Sequence, residues 1–304
     1  PVTISICKAL EINPVPVFIT EIMASNIGGT ATLIGDPPNI MIGSAVPLGF
    51  MDFVINLTPV IVVIFIVTIF LLKIIYKKQL QTSEENKAKI CAMNPAEAIK
   101  DTTILKKSLS VIGLVIIGFV THQYLGLESA TIALTGAALL LLLTREDPDE
   151  ILHTVEWTTL FFFIGLFILV GGLEKVGIIE SMAREAVALT HGNLTATTIL
   201  ILWFSAIASA FVDNIPFVAT FIPLIKEIGA ITHMSIAPLW WALSLGACLG
   251  GNGTIVGASA NVIVSGISAR EGHPITFLGY MKIAFPLMLV SIVISTIYLL
   301  LFFL

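Results

Sequence analysis

Two carboxylates, Asp36 and Asp213, stand inside stretches that are otherwise apolar: GGTATLIGDPPNIMI (28–42) and SAFVDNIPFVATFIPL (209–224). Charge at the depth of a membrane costs about 2.5–3.5 kcal/mol on insertion scales, so such a residue points to ion or proton coupling. Around Asp36 the residue types suit that chemistry. Gly28 and Gly29 let the backbone leave a helix, Pro37 and Pro38 delay its resumption, and Thr30, Thr32 and Asn39 offer neutral oxygens. Amides at the start of a resumed half-helix suit an anion, and carbonyls at the end of an interrupted one suit a small hard cation. Asp36 has a plainer role open to it, capping the half-helix after the prolines. Asn39 could likewise only tie freed backbone groups together.

The elements that must position these residues follow from composition. The 304 residues are 57% hydrophobic and 12% charged, against about 25% charged in a soluble domain. Uncharged runs cover 53–72, 108–127, 129–144, 157–173, 192–212, 228–269 and 283–304, where a spanning helix needs about 20 residues. They lack the period-2 alternation of a barrel, so the expected class is an all-α polytopic membrane protein, with the lipid bilayer as first partner. Cys7, Cys91 and Cys248 have no paired spacing, which suggests neither a disulfide frame nor a metal site. His122, His153, His191, His233 and His273 fall at span ends or in loops and read as solvated.

Eight of the fifteen basic residues, Lys73, Lys77, Lys78, Lys87, Lys89, Lys100, Lys106 and Lys107, crowd one polar connection. The positive-inside rule puts it in the cytoplasm of a plasma-membrane protein. Onward spans near 108–124, 128–144 and 158–176 lead to residues 195–226, which are too short for two crossings with Asp213, Asn214 and Pro216 in their middle. A re-entrant hairpin is expected there, followed by a broken helix over 237–268 and a last helix over 280–304.

The segment around Asp36 has a twin. Gly28, Gly29, Thr32, Gly35 and Asn39 align with Gly250, Gly251, Thr254, Gly257 and Asn261, always 222 positions later, and Pro1 and Pro16 align with Pro223 and Pro238. Beyond the motif Pro47, Phe50 and Pro59 match Pro274, Phe277 and Pro286 at 227. The deduced topology runs the two copies in opposite directions, an inverted repeat. The expected organisation is 1–76 as the later part of the first repeat, 77–107 as the basic loop and 108–304 as the second repeat. Inverted repeats with helices broken near the midplane are the architecture of secondary transporters. Asp36 aligns with Ala258, so its role is not duplicated.

SNIGGTATLIGDPPN (25–39), SAFVDNIPFVATFIPL (209–224) and LGGNGTIVGASANVI (249–263) resemble the motifs of the ion transporter superfamily, and IGDPPN is most similar to its arsenite permease and pink-eyed-dilution branch. The superfamily also holds NhaD-type sodium/proton antiporters and citrate and dicarboxylate carriers. The resemblance implies two inverted repeats, each with a re-entrant hairpin and a broken helix, and ion sites between each hairpin tip and the neighbouring break. Carried onto this chain, Asp213 and Asn214 form the second tip, and Gly250, Gly251, Asn252, Thr254 and Asn261 belong to the break facing it. Ser25, Asn26, Gly28, Gly29, Thr30, Thr32, Asp36 and Asn39 belong to the first break. A first hairpin would precede Pro1, so the sequence reads as a piece of a longer carrier.

The resulting expectation is a secondary active ion transporter working by alternating access, moving an inorganic ion by arsenite or other anion efflux or by Na+/H+ exchange. A Na+- or H+-coupled citrate or dicarboxylate carrier is the alternative, and no site arginine argues for a carboxylate. An ion channel, which needs a continuous pore, and an intramembrane aspartyl protease, which would leave the repeat unexplained, rank behind these alternatives. No enzyme, catalytic residue or nucleic-acid partner is expected. No cofactor is expected beyond a coupling ion, Na+ or H+, with Na+ near Asp213, Asn214 and Asn252. A homodimer is compatible with this reading.

Overall fold

A computed structural model of the chain describes residues 2–91 and 101–304. Pro1, Lys100 and the 92–100 part of the basic loop lie outside the described residues, as do the side chains of Lys89 and Cys91. The described chain is helical throughout. Six of its helices are long and apolar enough to cross a membrane.

The first part runs α1 (Val2–Leu10), α2 (Val15–Thr30), α3 (Pro37–Ala45), α4 (Phe50–Ile75) and α5 (Glu84–Cys91). A middle group follows, α6 (Thr102–Leu125), α7 (Ser129–Thr144), α8 (Pro148–His153), α9 (Trp157–Lys175) and α10 (Ile178–Thr190). The last part is α11 (Leu194–Phe211), α12 (Asn214–Thr232), α13 (Ala237–Gly250), α14 (Ser259–Arg270) and α15 (Phe277–Phe302).

The helix limits repeat as the sequence does. Val15, where α2 starts, and Ala237, where α13 starts, are 222 apart, as are Pro37 and Ser259 at the starts of α3 and α14. Both ends of α4 recur in α15 at an offset of 227.

Between α2 and α3 the chain leaves the helix because Pro37 and Pro38 occupy the first two positions of α3, where the missing N–H groups cost nothing. Two 3-10 turns, Gly251–Gly253 and Ile255–Gly257, fill the same interval between α13 and α14. Unwinding starts later than expected: Gly28, Gly29 and Thr30 are still in α2, and Gly250 is the last residue of α13.

α13 is the buried axis of the molecule, with every residue from Pro238 to Gly250 buried. Its Gly246 and Gly250 let it close onto α11, since a Cβ there would stand 2.6 Å from the Leu202 carbonyl and 2.5 Å from that of Ala206. This is the small-residue spacing by which membrane helices approach. The core around it draws Phe53, Leu57 and Ile64 from α4, Val218 and Ile225 from α12, and Met288 and Ile292 from α15.

The hairpin differs from expectation. Its arms α11 and α12 have 18 and 19 residues, each sufficient to cross a membrane, and together they occupy 194–232 rather than 195–226. Lys226 and Glu227 do not end α12, which runs to His233 in the left-handed conformation (φ 54°). A hairpin of either depth returns to the side it left, so the direction of the later helices is unaffected. α6 likewise starts before 108 because Asp101 caps it, accepting from the amides of Thr103 (2.7 Å) and Ile104 (3.1 Å). Lys107 is thereby carried in the helix and donates to the Leu143 carbonyl at 2.7 Å, at the C-terminal end of α7.

Candidate functional site

The two breaks meet in the interior through their asparagines. Asn39 donates from Nδ2 to the carbonyls of Thr30 and Thr32, both at 3.0 Å, and so ties the loop of the first break to α3. Asn261 does the same for the second break, donating to Gly251 (2.7 Å) and Thr254 (2.8 Å). Each therefore compensates carbonyls that the interrupted helix leaves free. Gly29 and Gly35 complete the first loop by close approach, a Cβ on Gly29 standing 2.6 Å from the Gly35 carbonyl, and Gly251 and Gly257 repeat it at 2.9 Å.

The free oxygens of the two asparagines accept from the opposite copy. Asn26 of α2 donates to Asn261 Oδ1 at 2.8 Å and to Asn252 Oδ1 at 2.9 Å. Asn39 Oδ1 accepts from Ser244 Oγ at 2.5 Å and from Cys248 Sγ at 3.6 Å, both on α13. Asn26 and Cys248 are themselves 222 apart, so the contacts are crossed and reciprocal. This is the pattern of two copies related by an approximate two-fold axis.

The hairpin tip lies against both breaks. The end of α11 meets the second: Thr254 Oγ1 donates to the Ala210 carbonyl at 2.5 Å, and a Cβ on Gly257 would stand 2.8 Å from that of Ser209. The start of α12 meets the first, where Asn214 Nδ2 donates to Asp36 Oδ1 at 3.5 Å. Asn214 thus crosses to the opposite repeat instead of facing only its own break. Asp213 is half-buried and caps α12, accepting from the Ile215 amide at 3.0 Å.

Asp36 holds the N-cap position of α3 without a capping bond. Pro37 and Pro38 have no N–H, and the amides of Asn39 and Ile40 bond to the backbone carbonyl of Asp36. The residue is 8% exposed, and its Oδ2 is buried with no hydrogen-bond partner. The plain capping role is therefore not realised.

The other expected residues divide. Thr30 is buried, with Oγ1 donating to the Asn26 carbonyl at 2.8 Å. Thr32 contributes its carbonyl, and Asn252 is spent on Asn26. No hydrogen bond joins Asn252 to Asp213 or Asn214 among the described residues, and Asn252 Oδ1 accepts from Asn26 instead. Ser25 is exposed on α2, and a Cβ added to Gly28 would meet nothing within 4 Å. Arg145 and Arg270 stand at helix ends outside the junction, and Arg184 lies within α10, pairing with Glu180 at 2.6 Å. No group of three or more His, Cys, Asp or Glu suited to a metal ion occurs among the described residues.

Sequence reasoning missed Ser244 and Cys248, although their spacing of four sets both on one face of a helix. It also misjudged His122, whose Nε2 accepts from the Phe50 amide at 3.2 Å while Nδ1 lies 3.1 Å from the Leu127 carbonyl.

Comparison with known proteins places the chain among membrane transporters. The CitMHS family model, described as citrate transporter, matches residues 1–246. An uncharacterized transporter of Mycobacterium tuberculosis is 43% identical over 301 residues, which cover 98% of this chain and 70% of that protein. The 46 kDa membrane protein of Mycobacterium leprae is 40% identical over 303 residues, with the same coverage of 98% and 70%. The P protein of Sus scrofa is 34% identical over 379 residues, covering 99% of this chain and 45% of that protein. The match over most of its length shows that this integral membrane transporter belongs to the CitMHS citrate transporter family.

Proposed function

We propose that the protein is a secondary active carrier of a small anion, coupled to a cation or proton gradient and working by alternating access. The observation that carries this reading is the chemical inequality of the two breaks. The first has a buried carboxylate and two prolines, and the amides that follow are committed to the Asp36 carbonyl. It offers an anion nothing. The second has Ala258 in place of the acid, and its half-helix opens with Ser259 and Ala260, whose amides at the first two positions of α14 have no intrahelical acceptor. Ser259 is exposed, so amides and hydroxyl can meet an anion there.

In this mechanism the cation or proton is taken up at the first break and the anion at the second. The hairpin tip, in contact with both, links the two events. The protein is a carrier rather than an enzyme. It resides in the plasma membrane with the 77–107 loop in the cytoplasm, as the lysine distribution favours.

The family description makes citrate the anion to offer first, and the lack of an arginine at the junction keeps arsenite second. The deciding experiment follows internal pH and labelled anion uptake in proteoliposomes of the full-length protein, offering citrate, arsenite, chloride and sodium in turn. Saturable anion uptake that moves with internal pH supports the reading. A pH response to sodium alone would replace it with cation/proton exchange, a reading that the nearness of Asp213 to Asp36 favours.

A further inference from the structure

We propose that Asp36 alone carries the coupling proton of this carrier, and that Asn214, reaching over from the other repeat, responds to its charge. This rests on the coupled-carrier reading above and names the coupling ion and its seat.

The geometry narrows the choice of ion. Oxygens that could complete a shell for a hard cation are already engaged. The carbonyls of Thr30 and Thr32 accept from Asn39, that of Ala31 accepts from Thr58 at 3.1 Å, and Asn39 Oδ1 accepts from Ser244 and Cys248. A hard cation needs about six oxygen ligands. A proton needs one orphaned oxygen, and Asp36 Oδ2 is that atom.

The titratable groups facing Asp36 are Cys248 from α13 and Asp213 from the α11–α12 turn. Neither supplies positive charge, and no lysine or arginine pairs with Asp36 among the described residues. A lone carboxylate so placed is held by hydrogen-bond donors, and among the described residues the geometry gives the Asn214 amide, since the Cys248 thiol donates to Asn39. That bond is charge-assisted while Asp36 is ionised and weakens once it is neutral. Protonation therefore loosens the hairpin tip of one repeat from the break of the other. Since Ala258 stands at the equivalent place, the second break has no such carboxylate.

The test is infrared difference spectroscopy of the full-length protein in lipid vesicles, recorded between neutral and acid pH with no transported anion present. The expected signal is the C=O band of one carboxylic acid appearing on acidification. It should be lost in Asp36→Asn, retained in Asp213→Asn, displaced in Asp36→Glu and shifted in Asn214→Ala. A band that survives Asp36→Asn, or that Asp36→Glu leaves unmoved, would overturn the proposal, as would its absence from the unsubstituted protein. Because no anion is involved, failure of the carrier reading would leave the band in place and show only as missing uptake.

Discussion

Gly28 and Gly250 occupy the same position in the two repeats, yet a Cβ on Gly250 would stand 2.5 Å from the Ala206 carbonyl while one on Gly28 meets nothing within 4 Å. One glycine is a packing contact and the other only a helical residue. Gly250→Ala should therefore destabilise by about 1–3 kcal/mol through overpacking. Gly28→Ala in the same chain should be neutral or gain up to about 1 kcal/mol from helix propensity. Thermal unfolding in detergent compares the two, and equal losses would contradict the assignment.

Asn26 supplies a donor to both Asn252 and Asn261. Asn26→Leu leaves two buried amide oxygens without that donor, at about 1–3 kcal/mol for each group left unsatisfied. A double-mutant cycle of Asn26→Leu with Asn261→Leu should show coupling well above zero, because the second substitution removes one of the stranded oxygens. Strict additivity would mean that the contact carries no weight.

Cys248 is fully buried between α13 and the first break. In a protein with the other cysteines replaced by serine, maleimide labelling of Cys248 should be slow at rest and should quicken under conditions that drive transport. Labelling at the same slow rate with and without turnover would mean that the first break does not part from α13 during the cycle.

Asp101 lies outside the membrane spans and caps α6. The backbone N–H groups of Ile104 and Thr103 hold its carboxyl below the usual range. A carboxyl so depressed contributes stability above its unfolded value of about 3.9, and that contribution is lost as pH falls through the lower folded value. The amide resonances of Thr103 and Ile104 should therefore keep their native shifts at pH 4 and move only in stronger acid. In Asp101→Asn, which still caps, they should not titrate at all. Movement already complete at pH 4 would contradict the depressed value.

Much of this architecture is readable from residue spacing. Gly35 and Asn39, with their counterparts Gly257 and Asn261, 222 positions later, locate both breaks, and the match at Phe50 and Phe277 gives the start of α4 and of α15. What spacing hides depends on partners distant in sequence. Ser244 and Cys248 are unremarkable residues of an apolar helix until Asn39 is set against them. By sequence Asn214 belongs with the break nearest in its own repeat, whereas packing of α12 against α3 carries it to the other. The end of α12 reads too early because Lys226 and Glu227 resemble an interface. α10 is hidden because its charges, Glu180, Arg184 and Glu185, interrupt what would otherwise be an apolar run.

The crossed bonds from Asn26 to Asn261 and from Cys248 to Asn39 also limit how the centre of the molecule can move. Each joins one repeat to the break of the other, so parting the two repeats at this junction breaks both.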